Sequence, residues 1–513
     1  MAQTKGVVVA GQTALVAKFG LRLPPPAVTS TIGPGTRKTL IEDGRRVERY
    51  PTSYRPEDSL AGQLRFALRY EPIELGVLAA VFRTEGAARS LEAWVRAEPT
   101  GTYARRAWFL YEWLTGRQLD LPDAGIVTYT DALDPALHIT AAGIPFRRHK
   151  VTDNIPGCPG FAPTVRRTPR LDAFRAEAID AEARALVAAC DPGVLARAVD
   201  YLYTKETKSS FAIENEVPTG KRAERFVAVL HAARSFDTAD PASLIALQNA
   251  IVDPRYAATG FRDFQNFVGE TAGGYREVVH FICPRPADVA PLMADWARMA
   301  DRLTGASDPV VAAALVAFGF VFIHPFEDGN GRIHRFLIHQ VLSAEGFTPP
   351  GVVFPVSAAI LRDRKGYDAA LETVSKTILP LVDWHWTQGR EIEVENDTAD
   401  QYRYFDATGL AEFLYGKAAE TVRKDLREEL DFVAVYAAAL SAVRDILDMP
   451  DRRAGLFVRL CLQNGGVLSK GKRREFKEIS DRELEALEAA VLGVMAERQA
   501  VELSGTLVGP VRT

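Results

Sequence analysis

The chain has 513 residues, of which 47% are hydrophobic and 25% are charged, and its formal net charge is −4. This length accommodates about two or three domains with cores of their own, and the composition is that of an ordinary soluble protein. So small a net charge excludes a global electrostatic field that would recruit nucleic acid or a membrane surface.

Targeting signals and disulfides are not expected. Neither the N-terminal residues nor the apolar run at residues 309–323 has the length and composition of an export signal or a membrane span. The four cysteines show no paired spacing, which is typical of reduced thiols; they are Cys158, Cys190, Cys283 and Cys461. We therefore expect a cytoplasmic protein without a membrane partner.

The first predicted domain comprises residues 1–165, and the sequence does not indicate its role. It includes an aromatic, amphipathic helix predicted over residues 103–114. Arg105 and Arg106 in that helix leave two alternatives open: their stems pack over a core, which the pattern favours, or they contact nucleic acid or a partner. The Pro- and Gly-rich segment at residues 154–169 predicts a connector to the next domain.

A helix is predicted around residues 195–216, because Leu195, Val199 and Leu202 recur at helical spacing. Ser210 and Glu214 are four residues apart in it and would lie on one face. By itself this pair is weak evidence for a function, since many solvated helix faces carry such residues.

Residues 260–284 contain alternating and β-branched residues bounded by Gly and Pro. This pattern predicts two short strands joined by a glycine-rich turn at Gly273 and Gly274. The hairpin could be an ordinary surface feature or part of a binding site.

The apolar run at residues 309–323 is too short to span a membrane and predicts a buried helix that leads into His324. An imidazole has a near-neutral pKa in water, so His324 could take a proton from an attacking hydroxyl group.

Residues 324–335 read His-Pro-Phe-Glu-Asp-Gly-Asn-Gly-Arg-Ile-His-Arg, and helical periodicity follows through residue 344. Gly329, Asn330 and Gly331 therefore lie where a loop enters a helix. Free N–H groups at such a helix start bind anions, and glycines let the main chain approach phosphate oxygens closely.

Charged side chains complete this predicted phosphate site. Arg332 and Arg335 are three residues apart and would project toward the same anion. Asp328, just before the turn, could hold Mg²⁺, which prefers one or two carboxylates together with phosphate oxygens. The local pattern predicts a nucleotide phosphate site with its own general base.

A third domain is predicted over residues 402–513, after a charged boundary at residues 391–401. Its pattern reads helix, turn, helix, and Ser480 with Glu483 forms a predicted capping box. Two alternatives remain open for its basic patch: a winged-helix-like module that touches DNA weakly, or a helical packing module. The patch consists of Lys470, Lys472, Arg473 and Arg474.

The segment from His324 to Arg335 matches every defined position of the signature His-Pro-Phe-x-(Asp/Glu)-Gly-Asn-Gly-Arg-x-x-Arg, and the chain thereby resembles the Fic family. The resemblance is close over about residues 195–375 and weak elsewhere. It implies a mainly α fold, with an all-helical Fic core at residues 171–390 and a small β-hairpin flap. The N-terminal domain and a C-terminal helical or winged-helix-like domain would flank this core.

The resemblance implies a protein adenylyltransferase that moves AMP from Mg²⁺-bound ATP to a Tyr, Ser or Thr hydroxyl group of a protein, this chain included. His324 would be the base and Asp328 the Mg²⁺ ligand. The nucleotide would contact Gly329, Asn330, Gly331, Arg332 and Arg335, the two arginines at the β- and γ-phosphates. A branch of the family with Lys at the position of Gly331 transfers phosphate instead, so Gly331 favours nucleotidyl transfer over phosphoryl transfer.

The resemblance also covers an inhibitory pattern, (Ser/Thr)-x-x-x-Glu-(Gly/Asn), which Ser210, Glu214 and Asn215 fit. It implies that Glu214 pairs with Arg335 and removes this arginine from the γ-phosphate. In some relatives the same glutamate helps to reverse the modification, so removal of AMP from the target is an open alternative.

Two further regions resemble parts of the family that contact the substrates. The hairpin resembles the flap that aligns the target by strand-like pairing, with the contacts falling on Gln265, Asn266, Phe267 and Val268. Tyr367 either stacks on the adenine or belongs to the core. A different class of function also remains open, a DNA-binding regulator whose core only senses nucleotide, and the oligomeric state is undetermined.

Overall fold

The computed structural model describes residues 7–42, 45–272 and 276–505. Helices predominate. They are α1 (Gly11–Phe19), α2 (Leu60–Tyr70), α3 (Leu75–Phe82), α4 (Ala87–Ala97), α5 (Thr102–Thr115), α6 (Pro169–Ala176), α7 (Ile179–Ala188), α8 (Pro192–Ile213), α9 (Gly220–His231), α10 (Pro241–Ile251), α11 (Pro286–Leu303), α12 (Pro309–Ile323), α13 (Asn330–Ala344), α14 (Val356–Arg362), α15 (Arg364–Ile378), α16 (Ala399–Arg403), α17 (Thr408–Glu420), α18 (Arg427–Ile446), α19 (Asp451–Gln463) and α20 (Asp481–Gly505).

The strands are short and form small sheets. They are β1 (Val8–Ala10), β2 (Val28–Gly33), β3 (Lys38–Glu42), β4 (Arg45–Pro51), β5 (Thr130–Asp131), β6 (His138–Ile139), β7 (Ile144–Phe146), β8 (Val151–Asp153), β9 (Val165–Arg166), β10 (Phe267–Ala272), β11 (Arg276–Ile282), β12 (Trp384–Trp386) and β13 (Ile392–Val394). The largest sheet has the order β1-β2-β4-β3, with β2 parallel to β4 and the other pairs antiparallel.

The N-terminal helices α1 to α5 share one hydrophobic core, which includes Leu64, Leu78 and Trp108. Arg105 and Arg106 are buried in it, and their guanidinium groups donate to main-chain carbonyl oxygens. The interpretation of these arginines as part of a core is confirmed, and the alternative of a surface contact is wrong.

A second core surrounds α12, which is buried along almost its whole length. Asp308 caps the start of this helix by accepting hydrogen bonds from the N–H groups of Val310 and Val311, both at 3.1 Å, and Pro309 occupies the first helical position. Because its residues are apolar on all sides, α12 is stable only when neighbouring helices cover it, and α11, α13 and α17 do so.

This second core continues beyond the predicted boundary at residue 402, because Leu410 and Leu414 of α17 and Val433 of α18 belong to it. The proposed division of the chain into domains therefore stays a prediction. A third, smaller core lies between α18, α19 and α20, so α18 contributes to both cores.

The C-terminal region is helical, and residues 402–505 contain no strand that could form the wing of a winged helix. The capping box is confirmed: the Ser480 N–H donates to Glu483 at 2.9 Å, and the Glu483 N–H donates to the Ser480 hydroxyl at 3.4 Å. Lys472 pairs with Glu475 and Arg473 with Glu488, each at 2.7 Å, so carboxylates partly neutralise the basic patch.

The predicted hairpin is formed by β10 and β11, with Phe267 opposite Ile282 and a register shift between Val268 and Gly269. The predicted turn at Gly273 and Gly274 lies outside the described residues. Across the described ranges, the structure has no helix that is long and apolar enough to cross a membrane.

Candidate active site

His324 stands at the C-terminal end of α12 with a left-handed backbone conformation, φ 53°. Its ring is half-buried, and Nδ1 lies 3.2 Å from the carbonyl oxygen of Val321. Since a carbonyl oxygen only accepts hydrogen bonds, Nδ1 carries the proton and Nε2 keeps the lone pair. The imidazole is therefore oriented with its basic nitrogen available.

The electrostatics around His324 favour the neutral ring. Removal from water lowers the pKa of His324 to about 4, and the positive charge of Arg262 acts in the same direction. The hydrogen bond with Val321 and the charge of Asp328 oppose this decrease of the pKa. A neutral imidazole is the form that can accept a proton.

The loop after His324 is braced by Asn330. Its amide oxygen accepts from the N–H of Phe326 at 3.0 Å, and its amide nitrogen donates to the carbonyl of Phe326 at 2.8 Å. Gly329 adopts φ 89° at the cap of α13, a conformation that glycine adopts without strain.

The start of α13 presents main-chain donors. The first main-chain hydrogen bond of the helix runs from the N–H of Ile333 to the carbonyl of Gly329. The N–H groups of Asn330, Gly331 and Arg332 precede this bond, so they have no acceptor within the helix and can bind an anion. The predicted loop-to-helix transition at residues 329–331 is confirmed.

Two buried guanidinium groups lie at this helix start. Arg332 has no exposed surface, and its Nη2 donates to Asp328 Oδ1 at 2.7 Å. Arg335 is almost equally buried. A buried guanidinium group needs hydrogen-bond acceptors, and an anion between these two arginines would satisfy both of them.

Glu214 supplies that anion. Its Oε1 accepts a hydrogen bond from Arg335 Nη2 at 2.7 Å, and its Oε2 lies 2.7 Å from Arg332 Nε. The predicted pairing with Arg335 is present, and the structure adds the contact with Arg332. A methyl group on Gly331 would overlap with Glu214 Oε1, so the carboxylate lies directly against the start of α13.

Ser210 holds Arg335 from the preceding turn of α8. Its hydroxyl accepts from Arg335 Nε and its carbonyl from Nη2, both at 2.8 Å. With Glu214, this gives the guanidinium of Arg335 three hydrogen bonds to the end of one helix, all within the buried interface between α8 and α13.

The end of α8 aims Glu214 through Asn215. The N–H of Asn215 donates to the carbonyl of Ala212, and the N–H of Glu216 donates to that of Phe211, at 3.0 and 3.1 Å. Asn215 is left-handed, φ 58°, so the helix ends in a Schellman motif. Asparagine tolerates this conformation, which gives a physical reason for the Asn of the inhibitory pattern.

Three residues of this site were missed by the sequence analysis: Glu216, Arg222 and Phe211. Glu216 Oε2 lies 3.2 Å from Arg332 Nη1 and 3.0 Å from Arg222 Nη2, so it links these two arginines. Both guanidinium groups also lie over the ring of Phe211, at 5.3 and 5.1 Å from its centroid. The only sequence signal was a second glutamate two residues after Glu214.

The flap residues are held together at the base of the hairpin. The side chain of Gln265 donates to the carbonyl oxygens of Asn266 and Cys283, at 3.0 and 2.8 Å, and thereby fastens the two strands at their base. Asn266 accepts from the N–H of Phe267 at 2.8 Å through its own side chain. Val268 is exposed on β10.

Tyr367 is buried on α15, with ring neighbours His334 at 6.1 Å and Phe413 at 5.9 Å. Burial raises the pKa of its hydroxyl, and the nearby charge of Arg335 opposes this increase. Tyr367 thus lies in the core behind the arginine cluster, and the adenine-stacking role stays a prediction.

The residues present suit a metal ion that arrives with its phosphates. Among the described residues, no group of three or more His, Cys, Asp and Glu side chains could hold a metal by itself. Asp328 offers one carboxylate at the anion-binding loop, and Mg²⁺ prefers one or two carboxylates together with phosphate oxygens.

Fold and geometry together define a mainly helical protein whose site has an imidazole, free main-chain donors and two buried arginines at one helix start. Residues 238–342 match the profile of the Fic/DOC family. This part of the chain is therefore similar to the Fic/DOC family.

Curated relatives match short parts of the chain. The protein adenylyltransferase fic-1 of Caenorhabditis briggsae is 42% identical over 64 residues, which is 12% of this chain and 12% of the relative. The protein adenylyltransferase Fic of Drosophila willistoni is 40% identical over 75 residues, 14% of each chain. The matches thus span only a small part of the length of these relatives.

Solved structures that are similar to the chain include a Fic family protein from Desulfovibrio desulfuricans. It is 21% identical, with a TM-score of 0.38, and the match covers 55% of this chain and 82% of that one. A second similar structure is that of Fic-1 of Caenorhabditis elegans, with a TM-score of 0.32 and 15% identity. The match covers 69% of this chain and 98% of that one. Similarity of this degree has no bearing on the chemistry of the site.

Proposed function

We propose that the protein is an adenylyltransferase that transfers AMP from ATP to a hydroxyl group of a protein, and that Glu214 inhibits it. The observation that carries this proposal is the carboxylate of Glu214 between Arg332 and Arg335 at the start of α13. A built-in anion at this position indicates a site made for the phosphates of a nucleotide.

The proposed reaction uses His324 as the general base. Nε2 takes the proton of the target hydroxyl, whose oxygen then forms a bond with the α-phosphorus of ATP. The bond between the α-phosphorus and the bridging oxygen to the β-phosphate breaks, and pyrophosphate leaves with the electron pair. The N–H groups of Asn330 and Gly331 stabilise the negative charge of the phosphates.

Asp328 is the residue that would hold Mg²⁺, which supplies charge neutralisation to the phosphates when it is bound. In the structure its Oδ1 accepts from Arg332 Nη2 and from the N–H of Gly329, at 2.7 and 2.6 Å. If Arg332 left Glu214 and paired with a phosphate, Asp328, which also contacts Arg332, would lie beside that phosphate.

Inhibition would follow from competition for the arginines. While Glu214 occupies Arg332 and Arg335, the β- and γ-phosphates lack their two cationic partners. The carboxylate of Glu214 also repels the negative charges of these phosphates. Either displacement of Glu214 or its removal by mutation would let the triphosphate bind in the productive orientation.

The target would be a protein segment that pairs with the flap. The free side of β10 and exposed Val268 support strand-like pairing, which positions a hydroxyl group with little demand on sequence. Action in the cytoplasm is supported by the four cysteines, which are all free.

The test uses the full chain as Glu214→Gly with Mg²⁺ and ATP labelled at the α- or the γ-phosphate, alone and with cell lysate. We expect protein labelling from α-labelled ATP only, and its loss in Glu214→Gly/His324→Ala. Labelling from γ-labelled ATP alone would replace the proposal with phosphoryl transfer. Mobility-shift binding to DNA without any labelling would replace it with a DNA-binding regulator.

A further inference from the structure

Arg262 is a buried arginine at the base of the flap, 5% exposed, and the sequence analysis assigned it no role. Its guanidinium donates only to main-chain carbonyl oxygens: those of His324 at 2.7 Å, Phe264 at 2.7 Å, Pro284 at 2.8 Å and Ile323 at 3.3 Å. Within the described residues, no carboxylate lies within ion-pair distance of it.

These carbonyl groups belong to two different parts of the site. Ile323 and His324 form the C-terminal end of α12, where the helix dipole is negative and a cation is stabilising. Phe264 and Pro284 flank the two strands of the flap. The N–H of Arg262 also donates to the carbonyl of Pro325 at 2.8 Å, which ties the loop after His324 to the same residue.

We propose that Arg262 is a positioning residue that holds the imidazole of His324 and the flap in a fixed relation to each other. The inference rests on the proposed AMP transfer, in which the flap delivers a hydroxyl group to Nε2 of His324. One planar side chain with five donors bridges the base and the target-aligning strands, and a lysine, with a single nitrogen, cannot reach all of these carbonyls.

The backbone of His324 makes such a support necessary. A left-handed conformation is unfavourable for a residue other than glycine and persists only where its surroundings hold it. The carbonyl of His324 is held by Arg262, and its N–H donates to Phe320 at 2.9 Å. Without Arg262, the residue loses one of these two restraints and the ring can turn away from the hydroxyl group.

ATP binding, by contrast, depends on other residues. The helix start at Asn330 and Gly331 and the guanidinium groups of Arg332 and Arg335 make no hydrogen bond with Arg262 among the bonds of the described residues. A change at Arg262 should therefore reduce turnover while leaving nucleotide affinity intact.

The experiment compares Arg262→Gln and Arg262→Lys, each in the Glu214→Gly chain, with Arg106→Gln as a matched control. Arg106 is also buried and donates to main-chain carbonyls, but in the N-terminal core. Transfer of α-label at saturating ATP gives turnover, and equilibrium binding of ATP gives affinity. Thermal unfolding shows which variants are folded.

We expect Arg262→Gln to lower turnover about 100-fold, the effect of a displacement of about 1 Å at a reacting group, with ATP affinity within about threefold of the parent. Arg262→Lys, which keeps the charge and part of the hydrogen bonding, should lose less. Arg106→Gln should lower the unfolding temperature and leave turnover per folded molecule unchanged. If Arg262→Gln fails to fold, the test is made with Arg262→Lys, whose turnover and ATP affinity are compared with those of the Glu214→Gly parent.

Parental turnover in a folded Arg262 variant would overturn the inference, and so would a loss of ATP affinity as large as the loss of turnover. If the Glu214→Gly parent transfers no AMP, the proposed function fails, and the inference is then decided by ¹⁵N NMR of the histidine rings. The signal of His324 is assigned as the one that disappears in His324→Asn. This signal should show a protonated Nδ1 in the parent and a mixture of the two ring tautomers in Arg262→Gln. An unchanged signal in Arg262→Gln would overturn the inference independently of activity.

Discussion

Oε1 of Glu214 lies at the place that a side chain on Gly331 would occupy. The carboxylate is thereby in contact with the positive end of the α13 dipole, and both of its oxygens face a guanidinium group. In the proposed inhibited state, a charge from the chain itself occupies the proposed phosphate site.

Glu214→Gly should raise self-labelling from α-labelled ATP by at least about tenfold, equivalent to about 1.4 kcal/mol. The reason is that Arg332 and Arg335 become available to the triphosphate. Glu224→Gln, at an exposed glutamate on α9, is the matched control and should leave labelling unchanged. Equal labelling in wild type and Glu214→Gly would refute the inhibitory role.

Gly331→Ala should be more destabilising when Glu214 is present than when it is absent. Overlap with Oε1 of Glu214 costs about 1–3 kcal/mol, as for other overpacked sites, and lowers the unfolding temperature. In the Glu214→Gly background the same change should cost less, because only the contact with Arg335 Nη1 at 3.2 Å remains and alanine is the better helix former. Four unfolding curves form the double-mutant cycle, and additive effects would contradict the overlap.

Glu216 should contribute a second, weaker restraint on Arg332, which it reaches at 3.2 Å. Because its side chain is partly exposed, its contribution is about 0.5–1 kcal/mol, or roughly threefold in ATP affinity. Titration calorimetry should find tighter ATP binding in Glu214→Gly/Glu216→Gln than in Glu214→Gly, whereas Glu216→Gln alone stays inhibited. Identical ATP affinities of the double variant and the Glu214→Gly variant would show that Glu216 has no part in holding Arg332.

Asn215→Val should both destabilise the protein and raise its labelling. A left-handed conformation costs an L-residue about 1–2 kcal/mol and more when it is β-branched, so the turn that aims Glu214 would open. Asn215→Gly, which adopts this conformation freely, is the control and should behave like wild type in unfolding and in labelling. A Val variant that remains fully inhibited would mean that Glu214 does not need this turn.

The rate of AMP transfer should not decrease at about pH 6.5, where protonation of an ordinary histidine would remove the base. A pKa lowered to about 4 means that His324 takes up a proton only in more acid solution, so the basic, neutral ring persists as the pH falls through the ordinary range. The kcat/KM of Glu214→Gly for ATP, which reports ionisations of the free enzyme, should stay constant from about pH 7.5 to 5.5, whereas an unshifted pKa near 6.5 would reduce it about tenfold. Such a tenfold decrease, with ATP binding intact, would contradict the environment described for His324.

The sequence allowed the local parts of the site to be predicted. The apolar run before His324, the glycines at the start of α13 and the spacing of Ser210 and Glu214 all depend on neighbours within a few residues. The helix-to-loop transitions followed from capping and periodicity. The structure confirms the helices and the pairing of Glu214 with Arg335 as a contact.

The remaining features depend on contacts between distant segments. Nothing in the local sequence distinguishes Arg262 from other arginines, because its partner His324 lies 62 residues further along the chain. The packing of α17 against α12 likewise could not be inferred, because an amphipathic helix does not specify its partner. The parallel pairing of β2 with β4 skips β3, which local patterns do not encode.

Glu214 belongs to the same polypeptide as the arginines that it contacts, and the Schellman turn at Asn215 fixes the chain end that carries it. An inhibitor tethered in this way has an effective concentration fixed by geometry, which dilution of the protein does not change. Activation would therefore come from an event that opens this turn or competes with Glu214 for the two arginines.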